Sequence, residues 1–62
     1  MKLSPLTAYD LAVLGRIAAG SELGHAVELD TATERRTVGR LAARGLVTWR
    51  HLGGETVAAR MV

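Results

Sequence analysis

The eight residues Arg40–Val47, with the sequence RLAARGLV, mark the point where a helix gives way to a strand. Leu41 continues the apolar face of the helix, and Gly45 ends it because glycine readily adopts the left-handed conformation found at helix C-termini. The segment that follows, residues 46–51, is rich in β-prone side chains. The stretch therefore predicts a helix over residues 32–44 that leads directly into a strand.

The start of this helix is also marked in the sequence. Thr31 and Glu34 form a T-x-x-E capping box, in which side chain and backbone satisfy each other at the first turn. Asp30 adds a negative charge where the helix dipole favours one. Val38 and Leu41 are expected to face the core.

Two further helices are predicted upstream. The first covers residues 5–19, with either Ser4 or the pair Thr7 and Asp10 as its N-terminal cap. Gly20 is expected to stop it. Its apolar residues are Leu6, Tyr9, Leu11, Val13, Leu14 and Ile17.

The second upstream helix is short, at residues 22–28, with Ser21 as its cap. Leu23, Ala26 and Val27 follow the i, i+3, i+4 spacing of one helix face. Gly24 weakens this helix, so packing on its neighbours must hold it.

A β-hairpin is predicted at the C-terminal end, with strands at residues 46–51 and 55–62. Gly53 and Gly54 between them are typical of a tight hairpin turn that needs positive φ. Trp49 is expected to anchor the hairpin in the core, with stacking on a nucleic-acid base as the alternative. The fold class is thus mainly α with a small hairpin, in one domain over residues 1–62.

Charge is distributed unevenly along the chain. Residues 1–31 hold two basic and four acidic side chains, a net charge of −2, whereas residues 32–62 hold six arginines and two glutamates, a net charge of +4. Such asymmetry favours an anionic partner. The alternative is that the arginines serve only as soluble surface.

Several function classes find no support in the composition. The chain has no cysteine, and His25 and His51 stand without the neighbours that a metal site needs. No catalytic constellation or phosphate-binding glycine loop is present, so we expect neither an enzyme nor a cofactor. Met1–Leu6 lacks the pattern of a secretory signal, and no apolar run is long enough for a membrane span. We expect a cytoplasmic protein.

The order helix, helix, helix, strand, turn, strand, together with the stretch RLAARGLV, resembles the winged helix-turn-helix family of MarR-like and PadR-like bacterial or phage regulators. The resemblance implies a three-helix winged helix-turn-helix fold whose third helix enters the DNA major groove, with the hairpin as a wing. Two features depart from the family pattern: Glu34 falls on the inward side of the third helix, and Glu28 stands where a glycine is frequent.

The candidate nucleic-acid-binding residues lie on the third helix and the hairpin. At 100° per residue from Val38, Arg36, Arg40 and Thr33 fall at about 160°, 200° and 220°, opposite the core. Arginine binds phosphate or guanine bidentately, and threonine donates to phosphate. Arg35 lies nearer the core edge, where pairing with a carboxylate is the alternative. The full candidate set is Thr33, Arg35, Arg36, Thr37, Arg40, Arg44, Arg50 and His51.

These observations predict a small DNA-binding protein, a transcriptional regulator or accessory factor, that contacts double-stranded DNA. A single module of this size binds weakly, so a homodimer or a larger protein partner is expected to supply specificity. The alternative function is a protein-interaction module whose basic helix docks on an acidic protein, because a fold does not decide a function.

Overall fold

The computed structural model describes residues 5–62. It contains two helices, α1 at Ala8–Glu22 and α2 at Ala32–Ala43, and three strands, β1 at Val27–Leu29, β2 at Val47–Gly53 and β3 at Thr56–Met61. The strands form one antiparallel sheet in the order β1-β3-β2. The predicted three-helix winged helix-turn-helix is therefore wrong: the chain has two helices and a three-stranded sheet.

The start of α1 follows the second of the two predicted caps. Thr7 is the N-cap: its hydroxyl accepts from the Asp10 backbone N–H at 3.1 Å, and the Asp10 carboxylate accepts from the Thr7 N–H at 3.0 Å. The helix thus begins at Ala8 rather than at residue 5. Ser4, the other predicted cap, lies outside the described residues.

The predicted helix at 22–28 does not form, because Gly24 ends α1 there. Gly24 has φ +85°, and the N–H groups of Gly24 and His25 donate to the carbonyls of Ser21 and Gly20, each at 3.0 Å. This pair of bonds is a Schellman motif, which needs a left-handed residue at that position. The chain then extends, and residues 27–29 pair with β3.

Two residues assigned to the boundary between helices lie inside α1. Gly20 is buried and helical, so it does not stop the helix as predicted. Ser21 is not a cap: its Oγ accepts from the backbone N–H of Met61 at 2.8 Å and ties α1 to the end of β3. Both roles depend on contacts with distant strands.

Helix α2 and the hairpin form close to the predicted bounds. Thr31 and Glu34 make the expected capping box, and Gly45, with φ +75°, ends α2. Of the four strand ends in the hairpin, one extends two residues beyond the predicted bound and the other three each fall one residue short of it. Gly53 ends β2, and the turn itself consists of Gly54 and Glu55.

The core lies between the two helices and one face of the sheet. Pairing across the strands places Val47, Val57, Ala59 and Leu29 on the face that the helices cover. Apolar side chains of both helices complete the core: Val13, Ile17, Val38 and Leu41. The opposite face of the sheet carries no described helix.

Candidate functional site

The buried face of α2 is not centred on Val38, the residue from which the predicted helix angles were measured. Glu34, Thr37, Val38 and Leu41 are all buried, so the inward direction lies about 50° from Val38 toward Thr37. Thr37 has no exposed surface, and its predicted outward orientation is wrong. Thr33 and Arg36 remain on the exposed side.

Arg40 is exposed at its base, but a carboxylate of the same chain holds its guanidinium. Nη2 of Arg40 lies 2.5 Å from Oδ1 of Asp10, whose side chain is only 4% exposed. The same nitrogen also donates to the Thr37 hydroxyl at 3.3 Å. This ion pair joins the start of α1 to the end of α2.

A second ion pair joins the same helices with the charges exchanged: here the arginine belongs to α1 and the carboxylate to α2. Nη1 of Arg16 in α1 donates to Oε2 of Glu34 at 2.6 Å. Glu34 falls inward, as the sequence indicated, because it is both the capping-box residue of α2 and the partner of Arg16. The two pairs fix α1 and α2 antiparallel, and in each pair the carboxylate caps its own helix.

These contacts stabilise both carboxylates in their ionised form. The backbone N–H of Thr7, followed by the Arg40 guanidinium, lowers the pKa of Asp10 below its ordinary value of 3.8. The guanidinium of Arg16, followed by the Thr31 side chain, lowers the pKa of Glu34 below 4.5. Burial opposes both shifts but does not outweigh the hydrogen bonds.

Acid is therefore expected to weaken the contact between the helices. Because the pKa of each carboxyl is lower in the folded chain than in the unfolded one, their contribution is fully present above the unfolded values and is lost as the pH falls through the folded ones. We expect the free energy of unfolding to fall below about pH 5. Urea titrations at several pH values measure this slope.

Two variants test whether the acid dependence of the stability comes from Asp10 and Glu34 rather than from the other carboxylates. The double variant Asp10→Asn, Glu34→Gln is expected to be less stable at neutral pH and to lose less on acidification. Asp30→Asn removes an exposed carboxylate outside both ion pairs. A wild-type slope in the double variant, or an equal flattening by Asp30→Asn, contradicts the assignment.

Two more of the predicted cations are engaged within the molecule. Nη1 of Arg35 donates to the carbonyls of Asp30 and Glu55, at 3.0 and 2.6 Å, and its Nη2 lies 3.7 Å from the Glu55 carboxylate. The alternative of a carboxylate partner for Arg35 is thus confirmed. Arg44 is half-buried and has an interaction of its own.

Three arginines have no ion-pair partner among residues 5–62: Arg36, Arg50 and Arg60. Arg36 lies on the outward side of α2, away from the sheet. Arg50 and Arg60 lie together on the opposite side of the molecule, on the face of the sheet that carries no described helix. The structure therefore divides the predicted cationic surface between two sides.

The uncovered face of the sheet, called the open face below, consists of Thr48, Arg50, Ala58 and Arg60, with Glu28 on β1. Thr48 pairs with Arg60, and Arg50 and Glu28 lie on either side of Ala58. Ala58 is buried because its short side chain lies on the central strand between longer neighbours. The two arginines are diagonal neighbours, with Cα atoms about 7–8 Å apart.

A shallow groove follows from this arrangement of long and short side chains. It has a volume of about 340 Å³ and is lined by Ala26, Thr48, Trp49, Arg50, Ala58 and Arg60. Arg60 also borders a second depression of about 170 Å³, beside Ser21 and His25 at the end of α1.

Glu28 is the acidic member of the open face. Its carboxylate lies on the β1 side of Ala58, away from Arg50, and makes no ion pair within the described residues. It would repel an anion that approached over β1. Of the two arginines, Arg50 lies farther from Glu28, because Arg60 is a diagonal neighbour of Glu28 across β1 and β3.

Trp49 is not the core anchor predicted for the hairpin. Its side chain is 44% exposed, and its ring lies 5.2 Å from the ring of His51 at an interplanar angle of 53°. Trp49 pairs with Ala59 and His51 with Val57, so both belong to the helix-bearing side of β2. The helices do not cover this end of the hairpin, and the two rings stand at the edge of the sheet.

Arg60 is the cation of the open face that the predicted set of nucleic-acid-binding residues did not include. The signal was the alternation of the last predicted strand, where Arg60 is polar between apolar neighbours. Pairing that strand with β2 places Arg60 beside Arg50 on one face. The register of the hairpin was the missing information.

A search among protein families, characterised proteins and solved structures finds no match to this chain. Within the described residues neither helix is sufficiently long and apolar for a membrane span. The same part of the chain holds no group of three or more histidine, aspartate or glutamate side chains placed to bind a metal.

Proposed function

We propose that the protein binds nucleic acid through the open face of its sheet. The observation that carries the proposal is that Arg50 and Arg60, which make no ion pair within residues 5–62, lie together beside the groove that Ala58 also lines. Guanidinium groups bind phosphate through charge-assisted, often bidentate hydrogen bonds. Arginines also commonly pair with a carboxylate of the same molecule, and in this protein Arg16, Arg35 and Arg40 do so.

The helix α2 contributes less to this proposal than the sequence suggested. Its cations Arg35 and Arg40 would have to leave Glu55 and Asp10 to reach a phosphate, and Thr37 is buried. Arg36 and Thr33 are the candidate residues of α2 that are exposed and lie outside the ion pairs of the described residues. Regulation of transcription and a cytoplasmic location stay predictions from the sequence.

The test is a titration of fluorescently labelled oligonucleotides, followed by anisotropy at two salt concentrations. We expect the double variant Arg50→Gln, Arg60→Gln to lose about tenfold or more in affinity, because two charge-assisted contacts are removed. For two neutralised phosphates the log–log salt slope should be about −1.4 with a single strand and −1.8 with a duplex. The double variant should lose most of that slope.

Two single variants are matched controls. Arg36→Gln removes one positive charge from the other side of the molecule and should change the affinity by less than Arg50→Gln or Arg60→Gln alone does. Glu28→Gln removes the acidic member of the open face and should strengthen binding. Absence of association at low salt, or an equal loss with Arg36→Gln, refutes the proposal; thermal melts check that each variant is folded.

A further inference from the structure

We infer that the ligand of the open face is a single strand rather than a duplex, and that a base stacks on Trp49. This inference rests on the proposed function and extends it. Its basis is the position of β2 as the edge of the sheet, with Arg50 on one side of the strand and Trp49 on the other.

Arg50 and the Trp49 ring lie on opposite sides of β2, the edge strand, so only the thickness of one strand separates the phosphate contact from the stacking contact. Successive side chains of a strand point to opposite faces, so Thr48 and Arg50 lie on the open face while Trp49 and His51 lie on the helix-bearing one. Trp49 nevertheless borders the groove, at the edge that no described strand pairs with. A ligand that contacts both arginines and the ring must turn over this edge.

Only a flexible polymer can make that turn. Duplex DNA resists bending over about 150 base pairs, whereas neighbouring strands of a sheet are only about 5 Å apart. A single strand can lay phosphates over Arg50 and Arg60 and bring an unstacked base around β2.

The Trp49 ring has the exposure that stacking needs. Trp49 is 44% exposed at the edge even with the tilted ring of His51 at 5.2 Å. Stacking of a base on an aromatic ring tolerates any sequence, because every base has a π-face. The contact therefore adds affinity for a single strand without specifying its sequence.

Trp49 is the one tryptophan of the chain and so reports directly on this contact. The probes are a twelve-residue oligothymidine, a duplex of the same length and inorganic polyphosphate. We expect oligothymidine to bind more tightly than the duplex and to quench the Trp49 fluorescence. Polyphosphate should compete for the open face and leave the fluorescence unquenched.

The variant Trp49→Leu, measured with labelled oligothymidine, should lose roughly fivefold to a hundredfold in affinity and bind polyphosphate as the wild type does. Leu52→Ala is the matched control, because Leu52 is the other large apolar side chain exposed on the hairpin. Equal binding of duplex and single strand, or an unquenched Trp49, overturns the inference and leaves the proposed function intact. Failure of every nucleic acid to bind overturns both.

Discussion

Replacement of Ile17 by alanine is expected to remove a large part of the stability of the protein in water at room temperature. Ile17 has no exposed surface and packs at the centre of the core between α1 and the sheet. Truncation of a buried isoleucine costs about 2–5 kcal/mol, from lost burial and the cavity left behind. A domain of this size has a total stability of about 5 kcal/mol, so little remains.

Circular dichroism during thermal and urea unfolding measures this effect. Leu11→Ala is the control on the same helix, because Leu11 is 54% exposed and its truncation should change the stability by no more than about 0.5 kcal/mol. If Ile17→Ala melts close to the wild type while Leu11→Ala does not, the burial assigned to α1 is incorrect.

The second large effect is expected from a single added methyl group, in Gly20→Ala. A Cβ at Gly20 would overlap Cγ2 of Val27 and lie 3.3 Å from the carbonyl oxygen of His25. Relief requires α1 to move away from β1, and overpacking of this kind costs about 1–3 kcal/mol. The gain in helix propensity, about 1 kcal/mol, offsets only part of that cost.

Gly15→Ala provides the matched comparison. Gly15 lies in the same helix, and a Cβ there would meet no atom within 4 Å. This variant should therefore be stabilised by about 0.5–1 kcal/mol through helix propensity alone. Urea midpoints that rise for both variants would show that α1 does not approach β1 as closely as described.

The elements that the sequence predicted well are those whose determinants lie within a few residues. Thr31 and Glu34 bond to each other across the first turn of α2, and Gly45 adopts the left-handed conformation at its end. The hairpin depends on Gly53 and Gly54 in the same local way. Such signals act between neighbours in the chain, so they need no knowledge of the rest of the fold.

The false second helix shows where local reasoning fails. Leu23, Ala26 and Val27 have helical spacing, but Gly24 serves α1 as its left-handed terminal residue, and Val27 pairs with Ala59 more than thirty residues away. A strand of three residues has little signal of its own and forms because β3 supplies its hydrogen bonds. Tertiary pairing outweighs propensity in such a segment.

The arginines show the same difference between what the sequence determines locally and what contacts between distant residues determine. Composition alone revealed the excess of arginine in residues 32–62 and therefore the expectation of an anionic partner. Which arginines of the described residues form ion pairs was settled by packing: antiparallel helices bring Asp10 to Arg40, and the hairpin register brings Arg60 beside Arg50. The number of charges is a property of the chain, whereas their pairing depends on distances between residues that are remote in sequence, and folding alone sets those distances.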